Sequence, residues 1–337
     1  MLSITDLVTD YGDPRGEAVH CRQHSALFDF SFVYRARVCG AEAIRKLEAF
    51  QPRRVRDMAI GQIRYSVKTD ARGRVRSDLT LWRFGEDVFE VMSGCAADIV
   101  ELGARQGRDF RVDDLSETSA ILALQGPETL ARLAAYADVT ALRQLPYFHF
   151  GQIEVGGLTC LVGRLGYSGE AGFELILEQS HKDRLWQMLS ARFRPAGFAA
   201  IDILRIEAGF VLFTNECRIS PSIADLGLSA LMQDAATVPT MKLVAFAGDF
   251  NGKSDPIIWQ PGSSRIGRPG PGEIAVTSAC FSPLFNRVMG LGFIACDHET
   301  ATLIDPRREF DNIKLCSLPP YDPDKTRPRR AWRVDPR

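Results

Sequence analysis

The chain has 337 residues, a quarter of them charged, and its 41 lysines and arginines balance 42 aspartates and glutamates to a net charge of −1. That balance gives no electrostatic footprint for a nucleic acid or an anionic membrane surface, so any partner has to be recognised locally. The length suffices for two or three core-bearing units, because single hydrophobic cores rarely grow past roughly 250 to 300 residues.

The N-terminus, MLSITDLVTDY, carries Asp6 and no basic segment before an apolar run, so it does not read as a secretion signal. No stretch approaches the ~18 consecutive apolar residues of a membrane-spanning helix. A cytoplasmic protein is the expectation. The eight cysteines are scattered without a C-x-x-C pair, which fits buried, reduced thiols rather than a zinc knuckle or a redox dithiol. His20 and His24 have the spacing that puts two imidazoles on one helix face. No acidic third ligand follows at a matching spacing, so no metal site is expected.

Ala26 to Gly40 reads as a turn and then a strand with Phe32, Tyr34, Ala36 and Val38 on one face, and Ala41 to Phe50 reads as a helix. Gly61 to Trp82 then reads as two strands joined by a turn at Thr69 to Gly73. In the second strand Val75, Ser77, Leu79 and Leu81 alternate with Arg76, Asp78, Thr80 and Trp82, which keeps Asp78 out of the aliphatic layer. Two readings of Asp78 stand side by side. It is an acid on a solvated strand face, loosely paired with Arg74 or Arg76, or a carboxylate in a pocket, tuned for proton work by burial and neighbours.

A strand at Asp87 to Ser93 and a helix at Ala96 to Gln106 follow, then a buried strand from Thr118 to Leu124. Pro127 and Glu128 suit the first turn of the next helix. The aromatic run Leu145 to Phe150 reads as core packing. Around the segment RLGYSGEAG, Gly166, Gly169 and Gly172 are wrongly placed for a phosphate loop and point instead to close backbone approach. In the strand after it, Phe173, Leu175 and Leu177 face one side and Glu174 and Ile176 the other, giving a second carboxylate on a strand face. A helix at Lys182 to Phe193 precedes a nearly all-apolar central helix from Phe198. The latter carries Asp202, Arg205 and Glu207, a charged trio that reads as structurally paired. From about Met232, short strands among Pro/Gly-rich turns indicate a separate small β-barrel or sandwich, and the end of the chain reads as a surface wrap or a frayed tail.

Eight blocks, HSALFDFS, GRVRSDLTLW, ALQGP, PYF, GYSGEAGFEL, DILRIEAG, LFTNE and SACFSP, occur in one order along nearly the whole chain. Together they resemble the glycine-cleavage T-protein (aminomethyltransferase) superfamily, whose members act with tetrahydrofolate. The form V-R-S-D-L-T is most similar to the folate domains of dimethylglycine and sarcosine oxidases. The resemblance implies an α+β fold. Two interleaved ferredoxin-like subdomains would occupy residues 1–235 and a C-terminal β-barrel with a Pro/Arg-rich tail residues 236–337, around a central folate cavity. It implies that Asp78 is the catalytic residue near the reactive folate nitrogens and that Glu174 binds the amino and imino edge of the pterin. Tyr65 and Tyr167 would line the pterin pocket.

The implied function is tetrahydrofolate-dependent transfer of a methyl or methylene group from a small methylated amine, ether or thioether. The implied partners are that small-molecule donor and a docking carrier protein, with no nucleic acid and no membrane. Three departures from the family pattern argue against a housekeeping glycine-cleavage role. Ile201 stands where the T-protein pattern A-A-R-D-x-L-R-L-E has a folate-binding arginine, Phe32 stands where the T-protein has a histidine, and the segment after Leu231 is short and lacks the family's F-I-G-R block. The alternative is a folate-binding accessory protein of the iron–sulfur assembly type, whose K-G-C-Y-x-G-Q-E block finds only Cys217 here.

Overall fold

The computed structural model describes residues 7–231, 238–260, 266–297 and 303–332. In chain order the strands are β1 (Ala26–Asp29), β2 (Tyr34–Cys39), β3 (Ile63–Thr69), β4 (Val75–Arg83), β5 (Val88–Ser93), β6 (Arg111–Asp114), β7 (Ser119–Gln125), β8 (Phe150–Val155), β9 (Leu158–Gly163), β10 (Gly172–Glu178), β11 (Arg194–Pro195), β12 (Met241–Phe250), β13 (Ile274–Ser282), β14 (Arg287–Ala295) and β15 (Phe310–Cys316). The α-helices are α1 (Pro14–Gln23), α2 (Ala43–Glu48), α3 (Ala96–Gly103), α4 (Thr129–Leu133), α5 (Thr140–Gln144), α6 (Lys182–Ser190), α7 (Phe198–Glu207) and α8 (Phe213–Glu216).

These strands form three sheets, ordered β11-β1-β7-β10-β9-β8, β3-β4-β5-β2-β6 and β13-β14-β12-β15. The chain lays β1 in the six-stranded sheet, spends β2 to β6 on the five-stranded one, and returns to the first for β7 to β11. The two α+β halves are therefore interleaved, as the sequence blocks imply. The four strands expected after Met232 are β12 to β15, and they pair antiparallel in the third sheet. The expected boundary at 235–236 lies outside the described residues.

Alternation does the sorting between layers. In β4 the residues Val75, Ser77, Leu79 and Leu81 are buried, while Arg76 is exposed and Asp78 and Thr80 are half-buried. Leu79 and Leu81 pack with Ile99 and Leu102 of α3, and the opposite face of the sheet turns toward a central cluster that includes Val67, Trp82, Ile121, Ile176 and Ile201. The β3–β4 turn is set by Asp70, whose carboxylate accepts the backbone N–H groups of Arg72 and Arg74 at 2.9 and 3.0 Å.

Two glycines fix how the layers approach. A Cβ at Gly163 would stand 2.2 Å from the Trp82 ring, so the indole of β4 lies directly on the backbone of β9. At Gly172 it would meet the Leu124 carbonyl oxygen at 2.4 Å, within the β7–β10 pair. Close backbone approach is thus a real property of this region.

Helix α7 is buried at every position from Ala199 to Glu207, so its charges need partners. Arg205 bonds Asp202 at 2.6 Å, Glu216 at 3.0 Å and the Ser278 hydroxyl at 2.7 Å. Glu207 does not join that set: it pairs at 2.9 Å with Arg22 of α1. Arg22 also bonds the Ser168 carbonyl oxygen at 2.7 Å and stacks 3.8 Å from the Tyr321 ring centre. Of the two readings of the chain's end, the wrap holds as far as Trp332, which stacks on Phe173 at 5.2 Å. Residues 333–337 of that stretch lie outside the described residues.

Candidate functional site

Strands β3 and β4 and the loop before β10 bring three of the expected site residues together. In the β3–β4 register Tyr65 stands opposite Thr80 and Asp78 opposite Val67, which puts Tyr65 and Asp78 on one diagonal of the same face. The Tyr65 hydroxyl donates to the Asp78 carboxylate. Tyr167 reaches the same cluster, its hydroxyl donating to the Val211 carbonyl oxygen at 2.5 Å and its ring stacked on Phe210 at 6.0 Å.

Asp78 keeps part of its surface accessible, yet its carboxyl is deep among protein atoms. Burial pushes its pKa up from 3.8 to about 6, against the pull of hydrogen bonds from its own backbone and from Tyr65, and the charge of Asp98 adds to the rise. Burial also raises the Tyr65 phenol well above its ordinary value, and Asp78, Cys217 and Tyr167 add to it. The solvated-face reading of Asp78 therefore fails. The opposite face of β4 takes the aliphatic layer, and on its own face Tyr65, Tyr167 and Cys217 come within electrostatic reach of the carboxyl.

Glu174 comes from the other sheet. Registers place Phe28, Ala123, Glu174, Gly163 and Phe150 in one row across β1, β7, β10, β9 and β8. Glu174 shares its face with Ile176 and the central cluster, away from Phe173, Leu175 and Leu177. Its carboxylate takes no hydrogen bond from any described residue, and burial alone pushes its pKa up from 4.5 to about 7. Trp82 links the two groups. It stands four residues along β4 from Asp78 on the same face, about 13 Å at strand spacing, and covers Gly163 beside Glu174.

Four further residues belong here. Tyr147, from the run read as core packing, feels the charge of Glu174, and burial pushes its phenol up to about 12. Its neighbour Phe148 has φ 60°, an unusual conformation for a bulky residue and one of the kind that clusters at functional sites. Cys217 lies within electrostatic reach of Asp78 and Tyr65, and burial keeps it a thiol. Asp98 approaches from behind the sheet. Hydrophobic pattern and spacing carried no signal for any of these four.

Ile201 is buried and abuts a cavity of about 290 Å³ at the edge of the six-stranded sheet, together with Tyr11, Phe30, Lys182 and Trp186. That cavity takes in neither Asp78 nor Glu174. The His20 and His24 rings lie 4.8 Å apart, with His24 paired to Glu128 at 3.1 Å. Among the described residues no group of three or more His, Cys, Asp or Glu is placed to hold a metal ion.

Comparison with known proteins finds relatives that cover most of this chain. The aminomethyltransferase of Saccharopolyspora erythraea is 29% identical over 329 residues, covering 89% of this chain and 88% of its own. That of Thermus thermophilus is 30% identical over 322 residues, covering 90% and 89%. The solved structure of the glycine cleavage system aminomethyltransferase T from Bartonella henselae superposes with a TM-score of 0.76 at 24% identity, over 97% of this chain and 92% of that one, so the fold is shared. The family model described as the GCVT N-terminal domain matches residues 12–234, well over half of the sequence, and the chain belongs to that family.

Proposed function

We propose that the protein is a tetrahydrofolate-dependent one-carbon transferase that takes a methyl or methylene group from a small methylated amine, ether or thioether. One observation carries the reading. Glu174 is a half-buried carboxylate with no hydrogen bond from a described residue, on the face that meets the cluster containing Trp82 from the strand of Asp78.

The residues fit the ligand. The amino and imino edge of a pterin presents two parallel donors, which two carboxylate oxygens accept together, and the loss of solvent strengthens both bonds. With Ile201 in place of a guanidinium, charged anchoring of the ring falls on Glu174. Tyr65 and Tyr167 supply apolar walls that exclude water. Tetrahydrofolate, when bound, supplies the nitrogen that takes up the one-carbon unit. Asp78, with a pKa near 6, exchanges a proton readily at neutral pH and serves the reacting nitrogen or the leaving group.

The test is a screen of methylated amines, aromatic methyl ethers and thioethers with tetrahydrofolate, reading out methyl- or methylene-folate by mass. At least one donor class gives product with the intact protein, and Asp78→Ala loses turnover far more than folate affinity. Equal turnover in the wild type and the variant would remove Asp78 from the chemistry.

A further inference from the structure

Asp98 sits in the first turn of α3, 4% exposed, on the aliphatic side of the five-stranded sheet. Its Oδ2 lies 2.6 Å from the hydroxyls of both Ser77 and Ser93. Ser77 precedes Asp78 on β4 and points through the opposite face. Ser93 ends β5, pairs in register with Leu79, and its hydroxyl lies 3.2 Å from the Asp78 carbonyl oxygen. That hydroxyl has one proton, and the shorter contact to Asp98 claims it. Its oxygen also accepts the Cys95 N–H at 3.0 Å, which ties the start of α3 to the end of β5.

A carboxylate in this place has a cost that packing alone does not explain. An apolar residue would fill the gap between α3 and the sheet with Ile99 and Leu102, without desolvating an acid. We propose that Asp98 is a positioning residue for Asp78, fixing β4 and β5 around it through Ser77 and Ser93 and acting on it electrostatically from behind the sheet.

The groups that act on Asp78 are few. Tyr65 from β3 donates to it, Asp98 from α3 repels its charge, and Tyr167 and Cys217 feel its field. Asp98 in turn faces Lys68 of β3, which favours its charge, and Glu101 of its own helix, which opposes it. An ionised Asp98 makes ionisation of Asp78 harder, so the charge on the first shifts the titration of the second. The inference rests on the role proposed for Asp78, but its test does not need turnover.

The experiment follows the Asp78 carboxyl by carbon-13 NMR through pH 4 to 9, its signal assigned by its loss in Asp78→Asn. Asp98→Asn keeps the shape and can still bond both serines, but it removes the charge. The Asp78 midpoint is expected to fall by ~0.5 to 1 pH unit, at the scale of a like charge several ångströms away in protein. Ser77→Ala removes a hydroxyl that favours ionised Asp98, and is expected to shift the midpoint in the same direction by less. Where a transferase assay is in hand, the acid limb of its pH profile moves with the midpoint. An Asp78 midpoint unmoved in both variants overturns the inference, as does a uniform loss of activity with the limb unmoved. Failure of every donor to react would strike the proposed function and leave the NMR result standing.

Discussion

Replacing Glu174 by glutamine has two opposite consequences that follow from one cause. In the folded protein its pKa is raised from 4.5 to about 7, so the folded state holds this proton more tightly than the unfolded chain does. The stability present below about pH 4.5 is therefore lost as pH rises to about 7 and stays lost above it. At 1.36 kcal/mol per pH unit, and discounted for residual exposure of the side chain, the loss is roughly 2 to 3 kcal/mol. Glu174→Gln has no charge to desolvate, so it is expected to be more stable than wild type by about that amount at pH 8, and by little at pH 5. The same substitution removes a charge-assisted acceptor pair from the proposed pterin contact. Hydrogen bonds to charged groups contribute about 1.5 to 3 kcal/mol, so tetrahydrofolate affinity is expected to fall ~10- to 150-fold. Wild-type affinity should weaken about tenfold one pH unit below the midpoint, and the variant should lose that dependence. Urea melts at pH 5 and 8, beside calorimetric titrations at pH 6 and 8, decide the matter. A variant that is destabilised at pH 8, or that binds folate as tightly as wild type, refutes the reasoning.

Other perturbations test separate links. Asp78→Ala should cut turnover by ~10²- to 10⁴-fold, the usual range for a positioned proton-transfer group, with folate affinity changed only a few fold in a calorimeter. Gly163→Ala forces the Trp82 ring or β9 to move. It should cost about 1 to 3 kcal/mol in urea denaturation and change the tryptophan fluorescence, whereas an unchanged midpoint would mean the two sheets meet elsewhere. Arg22→Ala strips the buried carboxylates Glu170 and Glu207 of their shared cation and should cost about 3 to 5 kcal/mol. Proteolysis should then release the segment around Tyr321 faster than in wild type.

The parts of the fold set by local rules were legible in the sequence. Period-two alternation in β4 and β10 assigned Asp78 and Glu174 to their strand faces, and Asp70 marked the turn between β3 and β4. What alternation could not say is what covers a face. Asp78 reads as a solvated acid until the loop that carries Tyr167 and the segment from α8 to Cys217 are seen to approach it, long-range contacts that no local pattern encodes. The trio on α7 was legible as paired, but its partners were not, because Arg22 lies on α1 and Ser278 in the third sheet. Tyr147 was hidden by the frequency with which aromatic runs serve as core. Asp98 was hidden because its meaning depends on two serines on different strands.

Titrating tetrahydrofolate into the intact protein in a calorimeter at pH 8 tests whether one folate-type site spans Asp78 and Glu174. The prediction is saturable binding at one site, weakened by Glu174→Gln and retained by Asp78→Ala. No binding heat and no thermal stabilisation by tetrahydrofolate at that pH would contradict it.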